Sequence, residues 1–455
     1  MNDATIAAIS TPQGEGGIGI IRISGEDSTV VADRIFESVN GKKLSEMKGY
    51  RAAFGKIVSD NEILDEVVCI VYRAPHSYTG EDTVEICCHG GIYVTRQILR
   101  AVLSCGASLA EAGEFSKRAF INGKMDLCKA QAVMDIISAK SRQAVRAAAG
   151  VLSGKLSQRL FEIKDRLLTL TAHLCAWADY PEEDIPQLEE NTVKDTLKDI
   201  KSELQDILLS YEKGRAVTKG IDTVIVGKPN VGKSTLMNLL SGYDKSIVTD
   251  IPGTTRDVVE ESVIIGDITL RLADTAGIRE TDNPVEQIGV LRAKEKLESS
   301  SLVLAVFDGS EEFSENDREL LGSLEGIPTI AIINKGDLEQ KLSTEEIENK
   351  VTKTVYLSAK SGNGLKAFED TLIEVLGTEG FDPSQGVITS ERQRNSVEKA
   401  ISSIEEAENA LMLGFSFDAV TVCVEETLEE LNTLTGENAS EEIIERVFHN
   451  FCLGK

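Results

Sequence analysis

The sequence of 455 residues is short of several things. It has no apolar run near the roughly 20 residues that a spanning helix needs, which leaves no candidate for a membrane helix. Its first residues, MNDATIAAISTPQGEGG, have no basic start, and their apolar run is too short for a secretory signal; the expected location is the cytoplasm. Its eight cysteines (Cys69, Cys87, Cys88, Cys105, Cys128, Cys175, Cys423 and Cys452) form no CxxC pair, so neither a zinc ribbon nor a dithiol redox motif is present. Positive charge is scarce as well. With 48 Lys and Arg against 75 Asp and Glu, the net charge is −27, which disfavours non-specific binding along a nucleic-acid backbone. An acidic chain can still act on RNA where a partner supplies the positive surface.

What is present indicates several domains, since the chain is too long for one ordinary core. With 41% hydrophobic and 27% charged residues the composition is that of a globular protein. Residues 1–120 alternate strand-like runs (GIGIIRIS, EVVCIVYRA, TVEICC) with short helical patterns such as YVTRQILRAVLS, as expected of an α+β domain with a mainly antiparallel sheet. From residue 121 to 218 the pattern is helical: Leu160, Ile163, Leu167, Leu170 and Leu174 recur at helical spacing, and DYPEEDIPQLEE interrupts the run with two prolines. Residues 219–377 alternate strands and helices, which predicts a mostly parallel sheet. Helical periodicity returns over 378–455, with Val397, Ile401, Ile404, Ala407 and Leu411, then Val420, Val424, Leu428, Leu431 and Leu434. The simplest arrangement is a helical domain into which the α/β domain is inserted.

The α/β segment carries the clearest chemistry. GKPNVGKST, Gly227 to Thr235, follows the strand pattern TVIV and opens a helix, the context that a phosphate-binding loop requires. Backbone N–H groups through Asn230, Val231 and Gly232 wrap phosphates, Lys233 adds charge at the β and γ positions, and Ser234 offers its hydroxyl to Mg2+ beside Thr235. Asp274, Thr275, Ala276 and Gly277 close the next strand, where a carboxylate can hold Mg2+ through water and the Gly277 N–H can meet a γ-phosphate. Asn334, Lys335 and Asp337 end another. A carboxylate there accepts from the N1–H and amine of guanine, a donor pair adenine lacks. Ser358, Ala359 and Lys360 end the following strand and can present N–H to the guanine oxygen. Together these elements predict GTP.

Hydrolysis poses a separate question. Ile278 stands where many small GTPases have a water-positioning glutamine, and it cannot hydrogen-bond water. Glu280, Asp282, Glu286 and Gln287 follow, and spacing does not choose among them.

The set GKPNVGKST, IVTDIPGTTRD, DTAGIRE and NKGD resembles the G domain of the bacterial tRNA-modification GTPase family MnmE, also called TrmE. TPQGEGGIGIIRISG, SYTGEDTVEICCHGG, GEFSKRAFINGKMDL and the closing FCLGK resemble the same family, so the likeness runs over the whole chain. The resemblance implies a folate-binding-like N-terminal α+β domain that dimerises, and a helical domain holding an inserted Ras-like P-loop GTPase. It makes Asn230 a potassium ligand, with Thr249, Ile251 and Thr254 completing the shell, Thr255 linked to Mg2+, and Glu286 orienting the water. An amide oxygen that helps to fix a monovalent cation against the phosphates supplies the counter-charge an arginine finger would otherwise bring. The other reading of Asn230 is a turn residue.

The resemblance also implies a 5-formyl-tetrahydrofolate or related one-carbon folate held by Arg22, Glu85, Lys124 and Lys455. It implies a flavin-containing MnmG-type partner in a heterotetramer, tRNA as substrate, and carboxymethylaminomethyl modification at C5 of wobble uridine. Arg22 and Glu85 have a plainer reading as a cross-strand ion pair. Gly14, Gly16 and Gly19 satisfy GxGxxG, but a strand pattern follows and no helix stands ready to cap a pyrophosphate. Of Cys87, Cys88 and His89, at most Cys87 and His89 share a strand face. Cys452 has His449 three residues before it on the same predicted helix face, and packing and catalysis both remain open for it. The rival function is a ribosome-assembly or other regulatory GTPase that modifies nothing; such a switch should carry a basic RNA-binding appendage, and neither the N-terminal part nor the acidic tail has one.

Overall fold

The computed structural model describes residues 4–179, 190–243, 261–266, 268–272, 300–449, 451–452 and 454–455. The described residues form two compact units: residues up to Met134 together with Leu428–Lys455, and the remainder from Asp135 to Thr427. No described helix is long and apolar enough to cross a membrane.

The first unit is built on a seven-stranded sheet: β1 (Ile6–Ile9), β2 (Gly16–Ser24), β3 (Phe36–Ser38), β4 (Arg51–Ser59), β5 (Glu62–Tyr72), β6 (Thr83–Gly90) and β7 (Ser108–Leu109). The order is β3-β4-β5-β6-β2-β1-β7, antiparallel throughout except for β1 with β7. Alternation along β2 explains its two faces. Ile21 and Ile23 enter a core with Val67, Cys69, Val84, Ile86 and, from the helix Ile92–Ser104, Ile98 and Val102. Arg22 lies on the opposite face, directly across from Glu85 of β6. Between β4 and β5, Asp60 and Asn61 both adopt positive φ (50° and 64°), the conformation that lets a two-residue hairpin follow the strand twist. The unit closes with the helix Glu441–His449, whose Phe448 packs with Phe451 against Leu127 and Ala130.

In the second unit the predicted apolar stripe is buried: Leu160, Ile163, Leu167, Leu170 and Leu174 are all at most 5% exposed. The long helix Glu190–Lys219 buries Leu197, Ile200, Leu204 and Ile207 and leads, through Gly220, straight into a second sheet. That sheet comprises β8 (Ile221–Val226), β9 (Glu261–Ile265), β10 (Ile268–Leu272), β11 (Leu302–Asp308), β12 (Thr329–Asn334) and β13 (Lys353–Tyr356), in the order β13-β12-β11-β8-β10-β9. Only the β9–β10 pair is antiparallel, with Ile265 opposite Ile268. β11 is buried along its whole length because apolar clusters cover both sheet faces. Beyond the sheet, the helix Glu391–Met412 returns to the helix that preceded it: the Tyr211 hydroxyl donates to Glu391 at 2.6 Å, and Lys201 Nζ reaches Glu408 at 2.9 Å.

Candidate functional site

The parallel sheet assembles its loops at the C-terminal ends of β8, β12 and β13, where open α/β sheets place ligands. β8 ends at Val226, and the helix Lys233–Tyr243 begins six residues after Gly227. In between, Asn230 has φ of 63° and Gly232 φ of 98°, so the loop turns its backbone through left-handed positions. A side chain at Gly232 would come within 2.3 Å of Asn334 Nδ2, a contact only glycine permits. Lys233 Nζ donates to the Gly227 and Lys228 carbonyls, each at 2.7 Å, and so spans the loop from its far end. Asn230, Ser234 and Thr235 are exposed, while Val231 is buried in the apolar core below.

Asn334, at the end of β12, is 2% exposed and uses both ends of its amide. Nδ2 donates to the Val231 carbonyl at 2.8 Å, and Oδ1 accepts from the Ala359 N–H at 2.9 Å. Asp337 accepts from the buried Ser358 hydroxyl at 2.7 Å, and this bond, with help from Lys360 and Lys335, holds its carboxyl below the usual carboxylate range. An ionised carboxylate can accept two N–H groups at once. Lys335 takes φ of 60° and pairs with Asp308 at the end of β11. Burial pushes the Asp308 carboxyl up, but hydrogen bonds from Lys335 and Ser310 outweigh it and keep the group below its ordinary value. Sequence reading passed over Asp308, although an acid closing the otherwise apolar strand LVLAVFD was the available signal. Thr249, Ile251, Thr254, Thr255, Asp274, Thr275, Ala276, Gly277 and Glu286 lie outside the described residues.

A second cluster stands on the first unit. Arg22 Nε and Nη2 reach Glu85 Oε1 at 2.9 and 2.8 Å, the plainer of the two arrangements expected for this pair, while Tyr72 donates to Glu85 Oε2 at 3.3 Å. The end of the chain joins them. Gly454, with φ of 86° and room for no side chain 2.4 Å from the Ile9 carbonyl, offers its own carbonyl to Arg22 Nη1 at 3.3 Å and Ser10 Oγ at 3.1 Å. Lys455 Nζ and the Arg22 guanidinium lie 5.6 and 5.4 Å from the Tyr78 ring centre. Burial, and then the nearby Arg22, lower the Lys455 amine below the usual lysine range. Two cations, an aromatic face and a carboxylate in one place suit a ligand with an anionic tail and a polar ring edge. Lys124, which is exposed, donates to the Pro75 carbonyl at 2.9 Å.

The helix Glu441–His449 ends before Cys452, so His449 and Cys452 do not share a helix face as expected. Turning Phe448 and Phe451 together into the core, with a turn bond from Phe451 N–H to the Phe448 carbonyl at 2.9 Å, ends the helix; both His449 and Cys452 are exposed. Cys88 is buried, and His89 pairs with Asp65 at 2.7 Å. Gly16 and Gly19 lie within β2, which continues to Ser24, so no helix opens at the motif; the next helix begins at Ser28.

Residues 5–124 match the family model for the GTP-binding protein TrmE N-terminus, and residues 127–452 match the MnmE helical domain. The tRNA modification GTPase MnmE of Clostridioides difficile (strain 630) is 43% identical over 100% of this chain and 99% of its own length. This chain belongs to the MnmE family. The MnmE of Acetivibrio thermocellus is 42% identical over 99% of both chains, and that of Natranaerobius thermophilus 41% identical over 100% of both. Among solved structures, Era from Aquifex aeolicus overlaps 40% of this chain and 66% of its own at 29% identity, with a TM-score of 0.27.

Two outcomes follow from this geometry. Asn334→Ala leaves the Val231 carbonyl and the Ala359 N–H without their partner; at about 1–3 kcal/mol for each stranded group, affinity for GDP should fall by at least about tenfold. Titration calorimetry that finds unchanged affinity would refute the bridging role. In the second cluster, Arg22→Gln should raise the Lys455 pKa and Glu85→Gln should lower it further, because the cation opposes the ammonium and the carboxylate favours it. The undocked amine keeps its proton over a pH range in which the docked one is already losing it, so rising pH through that range favours docking of the tail. NMR titration of the Lys455 side chain tests both signs, and a shift in the opposite sense for either variant contradicts the assignment.

Proposed function

We propose that the chain is a potassium-stimulated GTPase which, with a flavin-containing MnmG-type partner, installs a carboxymethylaminomethyl group at C5 of the wobble uridine of certain tRNAs. The enzyme is a GTP hydrolase of tRNA modification, as its family is. The observation that carries the reading is the joined pair of loops on the second sheet: Asn334 ties the phosphate loop to the Ser358–Lys360 loop, beside the carboxylate of Asp337.

In this reading, residues 219–377 are a nucleotide domain inserted between helical segments 121–218 and 378–455, and residues 1–120 form the folate-binding and dimerisation domain. The packing of the helix Glu391–Met412 on the helix Glu190–Lys219 favours insertion, since chain entering and leaving the sheet meets again. Asp337 and the Ser358, Ala359 and Lys360 backbone select guanine. Lys233 and the N–H groups from Asn230 to Thr235 receive the phosphates, with Asp274, Thr275, Ala276 and Gly277 on the γ side.

Ser234 and Thr255 would hold Mg2+, and the exposed hydroxyl of Ser234 at the first turn of its helix fits that task. Asn230, Thr249, Ile251 and Thr254 would hold K+. The Asn230 amide is exposed and has no partner among the described residues, which leaves its oxygen available to a cation. When bound, potassium supplies positive charge against the phosphates without an arginine from outside. Glu286 is the residue proposed to orient the attacking water.

Arg22, Glu85 and Lys455, with Lys124 nearer the rim, would hold a one-carbon folate, which when bound supplies the methylene of the modification. The site acts in the cytoplasm, in a homodimer that joins its partner as a heterotetramer.

Rates of GTP hydrolysis in matched potassium and sodium buffers test the ion; potassium should be markedly faster, and equal rates remove it from the mechanism. Mass spectrometry of wobble uridines from cells lacking the gene tests the substrate. Loss of the carboxymethylaminomethyl nucleoside is expected, and an unchanged nucleoside profile would favour a regulatory GTPase.

A further inference from the structure

The phosphate loop has an anchor that its motif does not contain. Lys228, one residue past the first motif glycine, places Nζ 2.7 Å from Asp317 Oδ2 and 3.0 Å from Ser314 Oγ. Asp317 is only 2% exposed. Its same oxygen accepts the Ser314 N–H at 2.9 Å and the Ser314 hydroxyl at 2.7 Å, closing a capping box on the helix Glu315–Gly322. Lys228 is held at its other end too, because its carbonyl accepts from Lys233 Nζ at 2.7 Å. One residue therefore connects a buried carboxylate on a neighbouring helix with the lysine that the motif directs at the phosphates.

Such a connection has a purpose in a loop of this kind. The positive φ of Asn230 and of Gly232 lie in regions that a free chain seldom visits, so surrounding structure must enforce them. The ammonium of Lys228 is the loop's outward tether, fixed between Gly227 and Pro229 on the arm that leads to Asn230. A lysine on a solvated loop would not need a carboxylate this deeply buried, since an exposed ion pair contributes little.

We propose that Asp317 is a positioning residue for guanine-nucleotide binding, acting through Lys228 to hold the phosphate loop in its receptive shape. The proposal rests on the GTPase reading of the loop. Asp317 touches neither nucleotide nor reacting atoms; it sets the backbone that does. Because the same N–H groups meet the phosphates of GDP and GTP, loosening them weakens both ligands alike and leaves the chemical step largely intact.

The test uses the full chain and three readouts: equilibrium binding of fluorescent GDP, KM and kcat for GTP, and thermal stability. Lys228→Met should raise the GDP Kd and the GTP KM together by about tenfold while kcat stays within about twofold. Lys228→Arg, which reaches the same carboxylate, should restore both to within about threefold of the unaltered chain. Asp317→Asn should weaken binding as Lys228→Met does, and the double variant should bind no worse than either single one, since both remove one link. A contact that only caps a helix would lower stability and leave Kd unmoved. Binding by Lys228→Met within twofold of the unaltered chain, or additive losses in the double variant, would overturn the proposal. Should Asp317→Asn fail to fold, the two Lys228 variants decide alone. If the unaltered chain binds no guanine nucleotide, the GTPase reading itself fails; if it binds and Lys228→Met binds equally, only this inference does.

Discussion

Asn334 donates to one loop and accepts from another, and both bonds are buried. The phosphate loop follows β8 and the Ser358–Lys360 loop follows β13, which lie three strands apart in the sheet. At about 4.8 Å per strand the interval is near 14 Å, comparable to the span from a nucleotide's base to its phosphates. The sheet sets the separation of the strands, and above it the two loops converge on Asn334, whose amide meets the Val231 carbonyl and the Ala359 N–H together. An aspartate there could not donate to the Val231 carbonyl, and an aliphatic residue could do neither job. Asn334 is only 2% exposed, so solvent has little access to either bond.

The same economy appears around Lys335 and Lys228. Each is a lysine at the rim of the site, tied to an acid at the end of β11 or at a helix N-terminus. The consequence is a loop cluster stiffened from outside, in which the residues that would meet the nucleotide are themselves left exposed: Asn230, Ser234 and Lys360. Preorganising the backbone and leaving the ligand-facing groups unspent is what an anion-binding loop requires.

On the first unit the end of the chain completes the cluster on the sheet. Gly454 fits against β1 because it lacks a side chain, and its carbonyl and the Lys455 amine reach the Arg22–Glu85 pair from a segment more than 400 residues away in sequence. The pairing of Arg22 with Glu85 follows from strand register. The arrival of Lys455 beside Tyr78 follows from the packing of Phe448 and Phe451, which turns the last residues back toward the sheet.

Local chemistry was legible in the sequence wherever the effect is local. The spacing of GKPNVGKS, the leucine stripe from Leu160 to Leu174 and the alternation in GIGIIRIS each follow from the periodicity of one element, and each is found where its period places it. The start of NKGD could be read as a strand end, and Asn334 does close β12. The carboxylates of Asp308 and Asp317 were not legible as tethers, since their lysines are 27 and 89 residues away and no spacing rule reaches across strands. Nor was the end of the final helix, which two phenylalanines decide by entering a core that forms only when Leu127 and Ala130 are in place. Sequence by itself determined which groups are available and on which face of each element they stand. Tertiary structure alone decided which of them meet, because a hydrogen bond acts over about 3 Å and depends on where the rest of the chain has put its partner.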